Sequence, residues 1–399
     1  MPKISDFAAV LPQSAIRMLT PYADRAEAEG IKVYHLNIGA PDIKSPESAV
    51  AAVHGFRFDH LPYSNSAGTA ELRRDLVEKY YRKIGIDITT DDILVTVAGS
   101  EAIMMMFQCI CNEGDEVLVF EPFYCNYNAI AKVNRVRLIG IHTDIHDDFA
   151  LPDPSIIERY ITPRTKAILI CNPSNPTGTL YSRDKVLSIA EICRKHDLYL
   201  IADEVYREFC YTDAPHFSIM QIPDFSENAI LLDSASKRYN LCGARIGVLV
   251  SRNKEVIRLA TKLAQARLCP PVLGQVALSG ALDAGPDYFS ATRKEYIARR
   301  NYTIAALNDI PGVYSPLPYG AFYTIAELPV RDAGDFCKWL LTDFRPGGET
   351  VMLTPAEAFY STPGIGLNQV RIAYVLEVPE LKKAMGILRH ALDTYNKMQ

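Results

Sequence analysis

The sequence predicts an α/β protein: a three-layer α/β/α large domain built on a mostly parallel sheet, with a smaller α+β domain attached. Three observations point there. Short apolar runs alternate with amphipathic helical stretches from Ile93 to Val250. Polar or glycine-rich turns follow the runs, which end at Val97, Phe120, Cys171, Ile201 and Asp233. Side chains suited to catalysis gather just beyond those ends, on the edge where an open α/β sheet binds ligands.

The elements can be justified in order. Residues through Pro46 read as an irregular arm, in which Gly39 of Ile38-Gly39-Ala40-Pro41-Asp42 lets backbone approach a neighbour closely. Tyr63 lies in the turn Leu61-Pro62-Tyr63-Ser64-Asn65-Ser66-Ala67-Gly68, and Glu71-Leu72-Arg73 opens an amphipathic helix. A strand over 93–97 runs into Ala98-Gly99-Ser100-Glu101-Ala102 and a helix over 103–111, whose small first residues leave N–H groups free for a phosphate. A strand over 116–120 leads to an aromatic turn, where Tyr124 can stack on a flat ring. The strand over 166–171 ends in Asn172-Pro173-Ser174-Asn175-Pro176-Thr177-Gly178, and that over 198–201 in Ala202-Asp203-Glu204-Val205-Tyr206. The strand over 229–233 precedes Ser234-Ala235-Ser236-Lys237, and a further strand covers 247–250. Residues 252–310 read as long helices broken at Pro270-Pro271; from Gly312 short strands and helices mix. The expected domains are 50–290 for the large one, and 1–49 with 291–399 for the small one.

Composition narrows the function. With 48% apolar and 22% charged residues the chain is ordinary for a globular protein, and a net charge of -5 gives no reason to expect nucleic acid or an anionic membrane as partner. No apolar run is long enough to span a bilayer, and Met1-Pro2-Lys3-Ile4-Ser5-Asp6 lacks the pattern of a signal peptide. The nine cysteines contain no Cys-x-x-Cys pair, which argues against a metal site and for reduced thiols in the cytoplasm.

Three side chains carry the chemistry. Lys237 follows a buried strand, where a partly desolvated amine becomes a nucleophile towards an aldehyde; Ser234, Ser236 and Arg245 beside it can hold a phosphate. Its bland alternative is a solvated loop lysine. Asp203 can pair with a ring nitrogen or simply cap a helix. Arg371, in the apolar strand Gln369-Val370-Arg371-Ile372-Ala373, suits a bidentate carboxylate or an internal salt bridge.

Ser234-Ala235-Ser236-Lys237 with Gly243-Ala244-Arg245-Ile246-Gly247, together with the Asn172 to Gly178 loop, resembles the class I and II aminotransferases, fold-type I enzymes of pyridoxal 5'-phosphate. The resemblance runs from Gly39 to Arg371 with the motifs in family order. It implies that Lys237 carries the cofactor's aldehyde carbon and is the catalytic acid and base. It implies cofactor contacts from Gly99, Ser100, Glu101, Tyr124, Asn175, Asp203, Tyr206, Ser234, Ser236 and Arg245, and from Tyr63 of a partner subunit in a homodimer. Substrate contacts fall to Gly39, Asn175 and Arg371, although Ala40 stands where the family often has Glu or Gln. The implied reaction moves an amino group from an L-amino acid to a 2-oxo acid, with acidic or broad specificity, and Arg267 is a candidate for an acidic side chain. A lyase or decarboxylase of the same fold shares all these motifs. Against a nicotinamide dehydrogenase, no Gly-x-Gly-x-x-Gly follows the first strand; against a non-enzymatic regulator of this fold, no DNA-binding domain is expected and Lys237 is present.

Overall fold

The computed structural model describes residues 2–9 and 11–398; Met1, Val10 and Gln399, which the expected small domain includes, lie outside the described residues. After β1 (Lys32–His35) the chain lays down β2 (Ile93–Thr96), β3 (Glu116–Glu121), β4 (Arg137–His142), β5 (Thr165–Cys171), β6 (Tyr199–Asp203), β7 (Ala229–Ser234) and β8 (Gly247–Val250). Then follow β9 (Tyr323–Glu327), β10 (Glu349–Met352), β11 (Thr354–Pro355) and β12 (Gln369–Ala373).

β2 to β8 form one seven-stranded sheet in the order β2-β8-β7-β6-β5-β3-β4. Its strands are apolar on both faces because helices cover both. Leu118, Ile168, Ile170, Leu200 and Leu231 enter one core, while Val117, Val119, Leu169, Ile201 and Ile230 enter the other. β8 alone runs against its neighbours, pairing antiparallel with both β2 and β7. Its amino end therefore lies at the carboxyl ends of the rest, which brings Arg245, just ahead of Gly247, to the same edge.

Two small sheets, β1-β10 and β11-β12-β9, carry the remaining strands, and a third core joins residues from both ends of the chain, among them Tyr34, Leu36, Phe322 and Leu388. The long helices fall over Lys254–Arg267, Val272–Ala281 and Pro286–Asn308, with the Pro270-Pro271 break between the first two.

The structure corrects the sequence in three places. The N-terminal arm is not irregular throughout: Thr20–Ala28 is a helix, with Pro21 in its first turn and Ala23 and Ala26 buried, and β1 pairs in parallel with β10. That pairing partner is more than three hundred residues away, at Lys32 with Glu349, so nothing local announces it. β4 has no apolar run to announce it, because it is an edge strand with exposed Arg137 and His142, paired only with β3. The helix expected over 103–111 starts earlier, at Ala98, so its first turn itself faces the ligand edge.

Gly247 is where that edge closes up. A Cβ there would come within 2.3 Å of the Ala98 carbonyl carbon and 2.7 Å of the Gly99 nitrogen, both backbone atoms that cannot swing aside. Gly247→Ala is expected to lose about 1–3 kcal/mol of stability by overpacking, read as a lower Tm. A variant that melts with wild type would mean that β8 can slide away from the Ala98 turn.

Candidate active site

One cavity of about 820 Å3 opens on the ligand edge, between the large sheet and the β11-β12-β9 sheet. Lys237 enters it from Ala235–Arg238, a single helical turn just past β7 rather than the strand end itself. Ser234 starts that turn: its Oγ accepts from the Ser236 N–H at 3.1 Å and lies 3.0 Å from the Ser236 hydroxyl and 3.1 Å from the Ile246 carbonyl. The Lys237 ammonium donates to the Gly39 carbonyl at 2.6 Å, and its Nζ is 3.8 Å from Cys242 Sγ. Gly39 has to be a glycine here, since a Cβ would overlap the Tyr323 hydroxyl at 1.6 Å.

Beneath the turn lies a buried ionic network. Arg238 Nη2 bonds both Asp233 oxygens, at 2.5 and 2.6 Å, and Arg207 stands 3.7 Å from the same carboxylate while pairing with Glu204 at 2.6 Å. The π-helical turn Leu76–Tyr81 contributes the Tyr81 hydroxyl to Asp233 at 2.8 Å. Burial pushes the Asp233 carboxyl up, but the Arg238 and Arg207 charges outweigh it and hold it below the ordinary range.

The opposite wall holds Asp203, at the end of β6. It accepts from the Tyr127 hydroxyl at 2.7 Å and from the Val205 N–H at 3.3 Å. Next to it the Tyr206 and Tyr323 hydroxyls are 3.0 Å apart, and Asn175 Nδ2 reaches Tyr206 at 3.4 Å. Asn172, the other asparagine of the loop, is structural: its Oδ1 takes the Tyr181 N–H at 2.9 Å.

Arg371 closes the far end. Its guanidinium donates to Asn175 Oδ1 at 3.1 Å and to the Asn37 carbonyl, and its carbon lies 4.7 and 5.0 Å from the Tyr323 and Phe359 ring centres. The residue is 1% exposed, yet no described carboxylate pairs with it, and its Nε and the nearby Asn37 Oδ1 are buried without partners. The internal salt bridge that the sequence left open is therefore not what holds it.

At the remaining side Ala98 sits at φ +60° and Gly99 and Ser100 begin the helix Ala98–Ile110, which has no side-chain cap. Its first-turn N–H groups face the cavity unpaired by the helix itself, a site for an anion. Arg245 also lines it.

A model of the family described as aminotransferase class I and II matches residues 31–387. This chain belongs to that family. The aspartate aminotransferase of Pyrococcus horikoshii is 31% identical over 98% of this chain and 97% of that protein. Among solved structures, a single mutant of the Thermus thermophilus aspartate aminotransferase superposes with a TM-score of 0.89 at 28% identity, covering 98% of this chain and all of that one. The alanine aminotransferase of Pyrococcus furiosus matches as well, with a TM-score of 0.89 at 31% identity and the same coverage. The chain is thus a pyridoxal phosphate-dependent transaminase of the α/β fold that the sequence predicted.

The aminotransferase site fits that cofactor. Uncapped N–H groups and Arg245 suit a phosphate, Lys237 suits an aldehyde, and Asp203, among the described residues the only acidic side chain in the lining, suits a protonated ring nitrogen. Tyr124 lines the wall with its hydroxyl taken by Asn126 at 2.7 Å, which leaves its ring for stacking.

Two expected contacts, those of Glu101 and Arg267, are relocated. Glu101 is outside the lining: its carboxylate takes the Val97 N–H at 2.6 Å and Arg267 Nε at 3.0 Å, so it braces the helix start rather than reaching a cofactor. Arg267 is correspondingly spent, its other nitrogens donating to the Ser66 and Val95 carbonyls at 3.3 and 3.2 Å. Tyr63 is 77% exposed and away from this chain's cavity. Sequence reasoning missed Tyr127, Asn37, Cys242 and Arg17. Tyr127 sits in the first turn of the helix Asn126–Val133, its ring edge-on to Tyr124 at 5.3 Å, and nothing in the local sequence distinguishes it from the other aromatics of that turn.

Two outcomes follow from these charges. Arg238→Met strands Asp233 and is expected to cost about 3–5 kcal/mol, seen as a large drop in Tm; an unchanged Tm would mean that Arg207 alone suffices. Asp203 behaves oppositely. Burial pushes its carboxyl up to about 6, above the value of 3.8 for a free side chain. A raised acid favours folding below the unfolded pKa, and that contribution is lost as pH rises through the folded pKa. Cofactor-free Asp203→Asn should therefore melt above cofactor-free wild type at pH 8, and the gap should close towards pH 4. A variant that melts lower at pH 8 would show that the charge is already compensated by the protein.

Proposed function

We propose that this transaminase takes acidic substrates, exchanging the amino group of aspartate or glutamate with a 2-oxo acid, and works as a homodimer in the cytoplasm. The observation that carries an amino acid substrate is Arg371, a fully buried guanidinium with an unpartnered Nε and no carboxylate of its own among the described residues. Such a charge is costly until a ligand carboxylate arrives, and its fork suits one. With Lys237 and Arg245 assigned to the cofactor, two basic side chains of the lining, Arg17 and Arg371, remain for the substrate, which favours one with two negative groups. The Pyrococcus horikoshii relative is named an aspartate aminotransferase, and a Thermus thermophilus relative an aspartate/prephenate aminotransferase.

The roles follow from the contacts. Arg371 and Asn175 hold the substrate carboxylate, with Gly39 allowing Tyr323 to close against the same wall. When bound, pyridoxal phosphate supplies an aldehyde and a conjugated ring that draws electrons from the substrate. Asp203, oriented by Tyr127, would pair with the ring nitrogen and keep it protonated. Tyr206 would offer a hydroxyl to the ring oxygen, Tyr124 would provide a stacking face, and Gly99, Ser100, Ser234, Ser236 and Arg245 would hold the phosphate. Lys237 takes the proton from the substrate Cα and returns it as an acid. In this structure its Nζ lies against the Gly39 carbonyl and Cys242 Sγ.

The homodimer rests on Tyr63, which stands exposed beside exposed Phe58 and Leu61 and, by resemblance, reaches a partner's phosphate site. Nine free cysteines favour a reducing compartment, and no described helix is long and apolar enough to cross a membrane. The division into 50–290 and the two flanking segments is supported by the large sheet falling within 93–250 and by the core shared between the chain ends.

The test is a half reaction. Holoenzyme is mixed with aspartate, glutamate, alanine or phenylalanine without acceptor, and cofactor absorbance and released 2-oxo acid are followed. Stoichiometric 2-oxo acid, fastest with the acidic donors, is expected. Release of carbon dioxide, or loss of the side chain, would move the enzyme to the decarboxylases or lyases. Lys237→Ala is expected to give no 2-oxo acid in this assay, and turnover by that variant would remove Lys237 from the proton transfer.

A further inference from the structure

Substrate with a second carboxylate needs a second cation, and the geometry points to Arg17 as the side chain that selects it. This rests on the acidic-substrate reading above and names the residue responsible. Arg267, the candidate from sequence, is unavailable because Glu101 and two carbonyls occupy its guanidinium. Of the four basic side chains in the lining, Lys237, Arg245 and Arg371 already have assignments, and Arg17 is left.

Three observations put Arg17 on the substrate side of the cavity. It lines the cavity together with Ser14 and Ile16. The Ile16 carbonyl accepts from Asn37 Nδ2 at 3.0 Å, and the Asn37 carbonyl in turn accepts from Arg371, so a two-bond bridge ties the backbone next to Arg17 to the carboxylate-binding arginine. The segment is anchored from behind as well, since Ala15 is buried in a cluster with Cys125, Phe359 and Tyr360. The anchoring fixes the backbone, while the Arg17 side chain remains exposed and, among the described residues, makes no ion pair and donates no hydrogen bond. Every other arginine of the lining donates to some protein carbonyl or amide. A cation that is held near the site and has no partner is available to a distal carboxylate. Its exposure in the free chain limits the gain, because water competes for it until the substrate covers the cavity.

The test compares aspartate with alanine. In holoenzyme, Arg17→Ala is expected to lower the ratio of kcat/KM for aspartate over alanine about tenfold, the effect of one charge-assisted hydrogen bond. Arg17→Lys should keep most of the ratio, and Arg17→Glu should lower it beyond Arg17→Ala. A structural role would not discriminate ligands, so dissociation constants for maleate and propionate are read from cofactor absorbance: only maleate should weaken. Wild type that prefers aspartate while Arg17→Ala keeps its ratio and its maleate affinity overturns the assignment and leaves acidic specificity standing. Wild type with no preference for aspartate over alanine overturns the acidic-substrate reading, and this inference with it.

Discussion

A guanidinium buried without a countercharge is the constraint around which this molecule is arranged. Arg371 lies in the middle of β12, flanked by Val370 and Ile372, neither of which is exposed. Removing a cation from water costs several kcal/mol unless it is paired, and the protein gives it only neutral partners: two oxygens and two aromatic faces. The same oxygens come from distant parts of the chain, Asn175 from the loop after β5 and Asn37 from the segment after β1. Thr354 also donates to the Asn37 carbonyl, at 3.2 Å. The small sheets and the large sheet are thereby joined at the point where a substrate carboxylate is needed.

The opposite electrostatic choice is made under Lys237. There the buried charges are fully paired, with Asp233 between two arginines and Glu204 bonded to Arg207, Ser218 and the Ile219 N–H. A paired network gives little net stability but allows few arrangements, which is what a one-turn helix carrying a mobile amine requires. Asp203 stands between the two cases. It has neutral partners and an elevated pKa, so it gains most when a positive ring nitrogen comes to it. Around the cavity, the unpaired charges of Arg371 and Asp203 face the ligand, while the paired charges beneath Lys237 belong to the scaffold.

Much of this was legible in the sequence, for physical reasons. Strands buried on both faces announce themselves as continuous apolar runs, so five of the seven large-sheet strands and their ligand edge were found together with β8. The motif residues at the edge were readable because each is an unusual type for its position. What escaped was long-range. β1 needs β10, β4 is a polar edge strand, and neither has a local signature. Glu101 and Arg267 were both given ligand roles because each was read alone; 166 residues apart, they satisfy each other. Arg17 and Asn37 were overlooked because single polar residues in an arm carry no pattern until the fold brings them to Arg371.

The central claim is that Arg371 is kept unpaired for a ligand carboxylate. Thermal unfolding of holoenzyme with and without 2-oxoglutarate, for wild type and Arg371→Met, tests it directly. Wild type should gain Tm with the ligand. Arg371→Met should melt at or above wild type in the absence of ligand, since an uncompensated buried charge has been removed, and should show no gain when ligand is added. A variant that melts well below wild type yet still responds to 2-oxoglutarate would contradict the claim, making Arg371 a structural strut and placing the carboxylate elsewhere.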